Sequence, residues 1–211
     1  MATAGSLATK EQILDVAEQA IAQNGYAGTT LRSIVKAANV NLAAVHYHFG
    51  SKEGLYEALI ARIARPIVSE QTAILDSLEA AADGPLAVKD ILSAYLKPSL
   101  NSVMQGENVR PMRSQFIGRC RTEPEPLKLI AAQQFKDSTE RYLDALQRAL
   151  PNQTRSQLTW KLDLVVTCLI RVLAESGKTD ALMVGSRPEE VKAAIDKLTL
   201  FLLPGLESDG V

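Results

Sequence analysis

The chain has 211 residues, 46% of them hydrophobic, with a formal net charge of −1. That length and apolar content allow one or two domains around a real core and exclude an intrinsically disordered chain. Near-neutrality excludes a nucleic-acid role resting on bulk positive charge, so any such role needs a local surface.

Residues 1–8 are small and polar and are expected as a disordered arm. Thr9-Lys10-Glu11-Gln12 fits a capping box. Ile13, Ala17, Ala20 and Ile21 then share one helical face, and Asn24-Gly25 ends this first helix. Thr29 or Thr30 caps a second helix, in which Leu31, Ile34, Val35 and Ala38 repeat at helical spacing. Asn39 stands where the chain turns sharply, and Asn tolerates positive φ better than any residue but Gly. Asn41 caps a third helix over about 42–47. It offers Val40, Val45 and Phe49 to a small core and leaves Leu42, Ala43, Ala44, His46 and Tyr47 outside. A short helix held steeply on another, with small and polar residues outward, suits a DNA major groove. Ser51 caps a fourth helix with Leu55, Ala58, Leu59 and Ile63 inward. Pro66 interrupts or kinks it, and a functional boundary is placed there without a flexible linker.

The helical pattern resumes through Ile67, Ile74, Leu75 and Leu78 and breaks at Asp83-Gly84-Pro85. Further helices are expected over about 86–104, with Pro98 inside, then 109–121 and 125–149. Another spans about 153–176, opened by Pro151 and Asn152 and closed by Gly177. Ser186-Arg187-Pro188-Glu189 combines a capping box with an early proline and starts the last helix, which ends at Pro204. The fold class is all-α, about nine helices, with no strand pattern. Leu158, Trp160, Leu162, Leu164, Val165, Val166, Leu169, Ile170, Val172 and Leu173 cover almost the whole circumference of the 153–176 helix. A surface helix needs only one apolar stripe. Leu198, Leu200, Phe201, Leu202 and Leu203 give the last helix the same character. These features predict a homodimer through about 153–176 and 188–203; the alternative is a central core helix in a monomer.

Both histidines lie in residues 1–65, which hold six Lys/Arg against five Asp/Glu; the remainder holds seventeen against nineteen. His46 and His48 form an H-x-H, but residues two apart on a helix diverge and nothing nearby completes a metal site. Cys120 lies between Arg119 and Arg121, which would lower a thiol pKa, yet no histidine is left to serve it as a base. It is either a redox-sensing thiol or an inert one. Cys168 reads as a buried structural thiol, and no Cys/His spacing suggests zinc. No Gly-rich phosphate loop, catalytic residue or cofactor is expected. MATAGSLATK has no signal-like apolar run and no segment reaches the length of a membrane span, so a cytoplasmic protein is expected.

Over residues 9–60 the chain resembles the TetR family of transcriptional regulators. The resemblance rests on Gly25-Tyr26 before Thr29-Thr30, then LRSIVKAANVNLAAVHYHFGSKEGLYEAL. Tyr47-His48-Phe49, followed by Ser51-Lys52-Glu53 and Leu55, is its most diagnostic part. Two positions depart from the family pattern: Asn39 where Gly is usual and Val35 where Ala is usual, which could shift the angle between the second and third helices. The resemblance implies that residues 1–65 form a helix-turn-helix DNA-binding domain and residues 66–211 a helical ligand-binding and dimerisation domain.

By resemblance and geometry, Thr30 would hold a DNA phosphate at a helix N-terminus, and Arg32 would reach a phosphate or base or remain solvated. Asn41 belongs to the same DNA-facing set. Leu42, Ala43 and Ala44 would face base edges and thymine methyls, and His46 would make a polar base contact. Tyr47, His48 and Lys52 would contact phosphates, fixing register more than reading sequence. So apolar a recognition helix implies that part of the preference comes from DNA shape. Candidate walls of a ligand cavity are Tyr95, Leu96, Met104, Met112, Phe116, Cys120, Phe135, Trp160, Leu164 and Cys168. Arg113, Arg119 and Arg121 would meet an acidic ligand or form a solvated face. The expected function is a ligand-responsive regulator, a repressor, binding a palindromic double-stranded DNA operator as a homodimer and released by a small apolar or amphipathic molecule. The alternative is a ligand-independent architectural or division-linked DNA-binding dimer with a protein partner.

Overall fold

A computed structural model describes residues 4–102, 116–117, 125–185 and 187–209. These residues form eight helices: α1 (Ala4–Gly28), α2 (Leu31–Ala37), α3 (Leu42–Phe49), α4 (Lys52–Ala81), α5 (Val88–Asn101), α6 (Leu127–Ala149), α7 (Arg155–Glu175) and α8 (Pro188–Glu207). Among the described residues there is no strand. The helix expected over 109–121 lies outside them, save Phe116 and Ile117, which are helical.

Several expected boundaries are corrected. The first helix begins at Ala4 and not at Thr9, because Ala4, Leu7 and Ala8 favour helix, no proline lies among them, and the single Gly5 costs only about 1 kcal/mol. Thr9 Oγ1 therefore donates back to the Gly5 carbonyl at 2.9 Å and does not cap. The break at Gly25 is present as a kink, with φ 72° and ψ 169°. Pro66 and Pro204 interrupt neither α4 nor α8. A proline removes one N–H and crowds the preceding turn, but both helices are held by buried residues beyond it, Ile67 and Leu206. Pro151 and Asn152 form a turn, and α7 starts only after Thr154, in a reciprocal cap with Gln157. The cap of α8 is Arg187, whose N–H donates to Glu190 Oε2 at 3.1 Å; Ser186 is outside the described residues.

Two apolar cores lie along the molecule. One is built by Ile13, Ile21, Ile34, Val45, Leu55, Leu59 and their neighbours, joined by Phe116 and Leu127. The other gathers Leu75 with α5, the second half of α6, α7 and α8. Helix α4 contributes to both, with Ile60, Ile63 and Ile67 in the first and Leu75 in the second. Its Gln71 is buried and bonded through both amide atoms and its carbonyl: Nε2 donates to Tyr95 O (2.9 Å), Oε1 accepts from Ser138 (2.8 Å), and the backbone carbonyl accepts from the Tyr142 hydroxyl (2.9 Å). Burial pushes the Tyr142 hydroxyl pKa far up, so it remains a donor. At the far end Lys161, also buried, donates to Gln153 Oε1 and to the Leu206 and Ser208 carbonyls, pinning the C-terminus of α8 to α7.

Candidate nucleic-acid interface and adjoining cavity

The α2–turn–α3 unit is built from local chemistry. Thr30 caps α2 by accepting from Ser33 N (3.1 Å), and Ser33 Oγ accepts from Thr30 N in return (3.2 Å). Thr29, buried, donates to Gly25 O (2.8 Å) and so closes the kink before α2. Asn39 takes φ 50°, and Val40 N donates to Val35 O at 3.0 Å. Gln12 of α1 reaches this turn and donates to the Ala38 carbonyl (2.8 Å). Asn41 Oδ1 then accepts from Ala44 N (2.8 Å) and caps α3. Ile34, Ala38 and Val45 are essentially fully buried and set the packing between the two helices.

That packing leaves Thr30, Arg32, Asn41, Leu42, Ala43, His46 and Tyr47 exposed, with Ala44 and His48 half-buried. Tyr47 stands out most, 80% exposed. His48 does not follow His46: its ring packs between Tyr47 (5.0 Å between centroids) and Phe49 (5.9 Å). His46 Nδ1 meets the Gly50 carbonyl at 2.8 Å. Lys52, expected to reach a phosphate, is engaged within the protein. Its Nζ donates to Tyr26 O at 2.6 Å and sits 4.0 Å from the Tyr26 ring centroid. The ammonium thereby ties the end of α1 to the start of α4, held by the aromatic face and by a carbonyl that also accepts from Thr29 N at 3.2 Å. Tyr26 completes this joint by donating to Glu53 Oε1 (3.0 Å). Glu53's carboxyl is held below its ordinary range by its own backbone N–H at the helix start, then by Tyr26 and Ser51.

The local charge is sharper than the count over 1–65 suggests. Residues 29–52 contain Arg32, Lys36 and Lys52 and no Asp or Glu. Three acids of α1 face elsewhere: Arg62 of α4 bridges Glu11 (3.3 Å), Asp15 (2.7 Å) and the buried Glu18 (2.5 Å). Burial works against the Arg62 charge, but Asp15 and Glu18 outweigh it and its pKa is raised. Sequence reasoning gave no role to Lys36 or Arg62 and used Tyr26 only as part of the family resemblance; the acid-free run was the legible signal for Lys36.

On the other side of α4 a cavity of about 620 Å³ opens among α4, α5, α6 and α7. Ile60, Ile63, Ala64 and Ile67 form its α4 wall, with Tyr95, Phe116 and Phe135 among the remaining lining. Leu96 is buried in the second core and does not line it. Trp160, Leu164 and Cys168, expected as walls, are absent from the lining. They follow one another at i, i+4 and i+8 on another face of α7, whereas Leu162, Val166 and Ile170 face the cavity. Met104, Met112 and Cys120, with Arg113, Arg119 and Arg121, lie outside the described residues. No described helix is long and apolar enough to cross a membrane.

A capped helix–turn–helix with an acid-free exposed face, set on a helical body that encloses a cavity, is the build of a helix-turn-helix transcriptional regulator. Residues 13–59 match the family described as "Bacterial regulatory proteins, tetR family", and residues 93–205, more than half the chain, match "Tetracyclin repressor-like, C-terminal domain". The chain therefore belongs to the TetR family of transcriptional regulators. It is 40% identical over 55 residues to a probable HTH-type transcriptional regulator, YttP, of Bacillus subtilis, covering 26% of this chain and 27% of that protein. It is 44% identical over 48 residues to the biofilm-operon HTH-type negative transcriptional regulator IcaR of Staphylococcus aureus, covering 23% and 26%. The chain thus aligns with only about a quarter of the length of these relatives. Its fold is similar over nearly the whole chain to the fatty acid degradation regulator FadR from Bacillus halodurans (TM-score 0.66, 18% identity, 93% of this chain and 95% of that one). A transcriptional regulator from Aquifex aeolicus is similar in the same way (TM-score 0.58, 22% identity, 92% and 99%).

Proposed function

We propose that this regulator is a ligand-responsive repressor that binds a palindromic operator as a homodimer. Residues 1–65 carry DNA binding and residues 66–211 ligand binding and dimerisation. The observation that carries this reading is the double engagement of α4. Its first turns pack on α1 and α3, and its middle turns form a wall of the cavity. Leu42, Ala43, Ala44 and His46 meet base edges, while Thr30, Arg32, Asn41, Tyr47 and His48 lie along the phosphates. An apolar or amphipathic molecule against Ile60, Ile63 and Ile67 displaces α4, and the recognition helices of the two subunits change separation. The effect is limited by the difference in ligand affinity between the two arrangements. Negative regulation by IcaR, as its name states, fits the same sign here.

Selection of bound duplexes from a random pool at a stated salt concentration tests this. The expected result is one enriched palindrome with half-sites about one helical turn or slightly more apart. Small amphipathic molecules that raise the melting temperature should then weaken binding to that operator. Salt-sensitive binding without an enriched motif, or stabilising ligands that leave operator affinity unchanged, would overturn the proposal.

A further inference from the structure

The recognition helix carries one polar side chain whose hydrogen-bonding sense is set by its own backbone. His46 Nδ1 lies 2.8 Å from the Gly50 carbonyl oxygen. A carbonyl can only accept, so this contact requires the proton on Nδ1. In the neutral ring Nε2 then carries no hydrogen and can only accept. Gly50 supplies the carbonyl from a conformation that L side chains rarely adopt, φ 73° and ψ −56°. Its N–H also donates to the His46 carbonyl at 2.9 Å, so His46 is engaged through both side chain and backbone. The imidazole remains exposed, with Nε2 on the side of the ring away from Gly50. Leu42, Ala43 and Ala44 beside it have no hydrogen-bonding side chains, and His48 packs against its aromatic neighbours.

In the major groove, cytosine N4 and adenine N6 offer donors, whereas guanine N7 and O6 and thymine O4 only accept. We propose that His46 is a one-way reader, its Nε2 accepting from the exocyclic amine of a cytosine or an adenine and disfavouring guanine or thymine at that position. The inference rests on the reading of α3 as the helix that enters the groove and assigns that contact its chemistry.

The test uses the full chain at pH 8. Duplex selection is run with the wild type and with His46→Phe, which keeps a planar ring and loses the acceptor. Matched unfolding midpoints check that both are folded. The position whose base preference differs between the two proteins is the one His46 reads. At that position the amine is then replaced by hydrogen, purine for adenine or 2-pyrimidinone for cytosine. Amine removal should weaken the wild type by roughly three- to tenfold, the size of one net hydrogen bond, and leave His46→Phe unchanged. A guanine or thymine preference there, or an equal loss in both proteins, overturns the inference. An enriched operator with no position sensitive to His46 overturns it alone, whereas no enriched operator at all brings down the DNA reading with it.

Discussion

Asn39 holds φ at 50° between the two helices that must cross, a conformation costing most L residues roughly 1–2 kcal/mol. Asn39→Val should therefore lower the unfolding free energy by about that amount, and Asn39→Gly should leave it unchanged or slightly higher; urea unfolding at constant m-value separates the two. Lys52 poses a different question, because its type invites a phosphate contact while its geometry is internal. Removing a phosphate-bound lysine reduces the salt slope of DNA binding by about one. Since Nζ is committed to Tyr26, Lys52→Met should instead lower the melting temperature and leave that slope intact. A slope reduced by one at unchanged stability would restore the phosphate role.

At the scale of elements, α4 is gripped from opposite sides. Arg62 holds α1 through three carboxylates, whereas Ile60, Ile63 and Ile67 face the cavity. Truncating one partner of a buried pair leaves the other charge unpaired and costs about 3–5 kcal/mol. Arg62→Met should approach the lower end of that range, since Arg62 keeps some exposure. Adding Glu18→Gln should recover a large part of the loss, and thermal or urea unfolding of the two variants measures both. An additive loss in the double variant would mean that Glu18 matters for packing alone. What was legible in the sequence is local chemistry: the caps at Thr30, Asn41 and Ser51, the turn at Asn39 and the apolar periodicity all act within a few residues. The Thr9 box failed because the same spacing occurs inside a helix, and only the residues before it decide whether it caps. Pro66 and Pro204 read as breaks because the packing that carries the helix past them comes from distant elements. The inward turn of Lys52 and the Arg62–Glu18 pair depend on contacts 26 and 44 residues away in sequence, which no local pattern encodes. Trp160 and Leu164 were assigned both to a cavity wall and to a dimer face, and periodicity alone could not say which side of α7 the cavity takes.

At the scale of the whole molecule, α7 and α8 leave apolar surface uncovered. Leu200 and Phe201 are 76% and 75% exposed, and Leu164 and Trp160 are 52% and 39% exposed. Two adjacent large side chains this open on α8, with an i, i+4 pair on α7, suit a second copy of the same face. Trp160 is the chain's sole tryptophan, so its emission reports on this face without a label. In the dimer it should be dry and emit to the blue, and dilution through the dissociation constant should shift it to the red. Sedimentation of Leu200→Glu with Phe201→Glu should give the monomer mass at unchanged helical content, with red-shifted emission at all concentrations. Its affinity for a half-site should persist. Its affinity for the full palindrome should fall on the order of a hundredfold or more, because two linked half-sites gain that much by effective concentration. A wild type that sediments as a monomer, or a double variant that remains dimeric with blue emission, would remove α7 and α8 from the interface. The two recognition helices would then need another element to set their spacing.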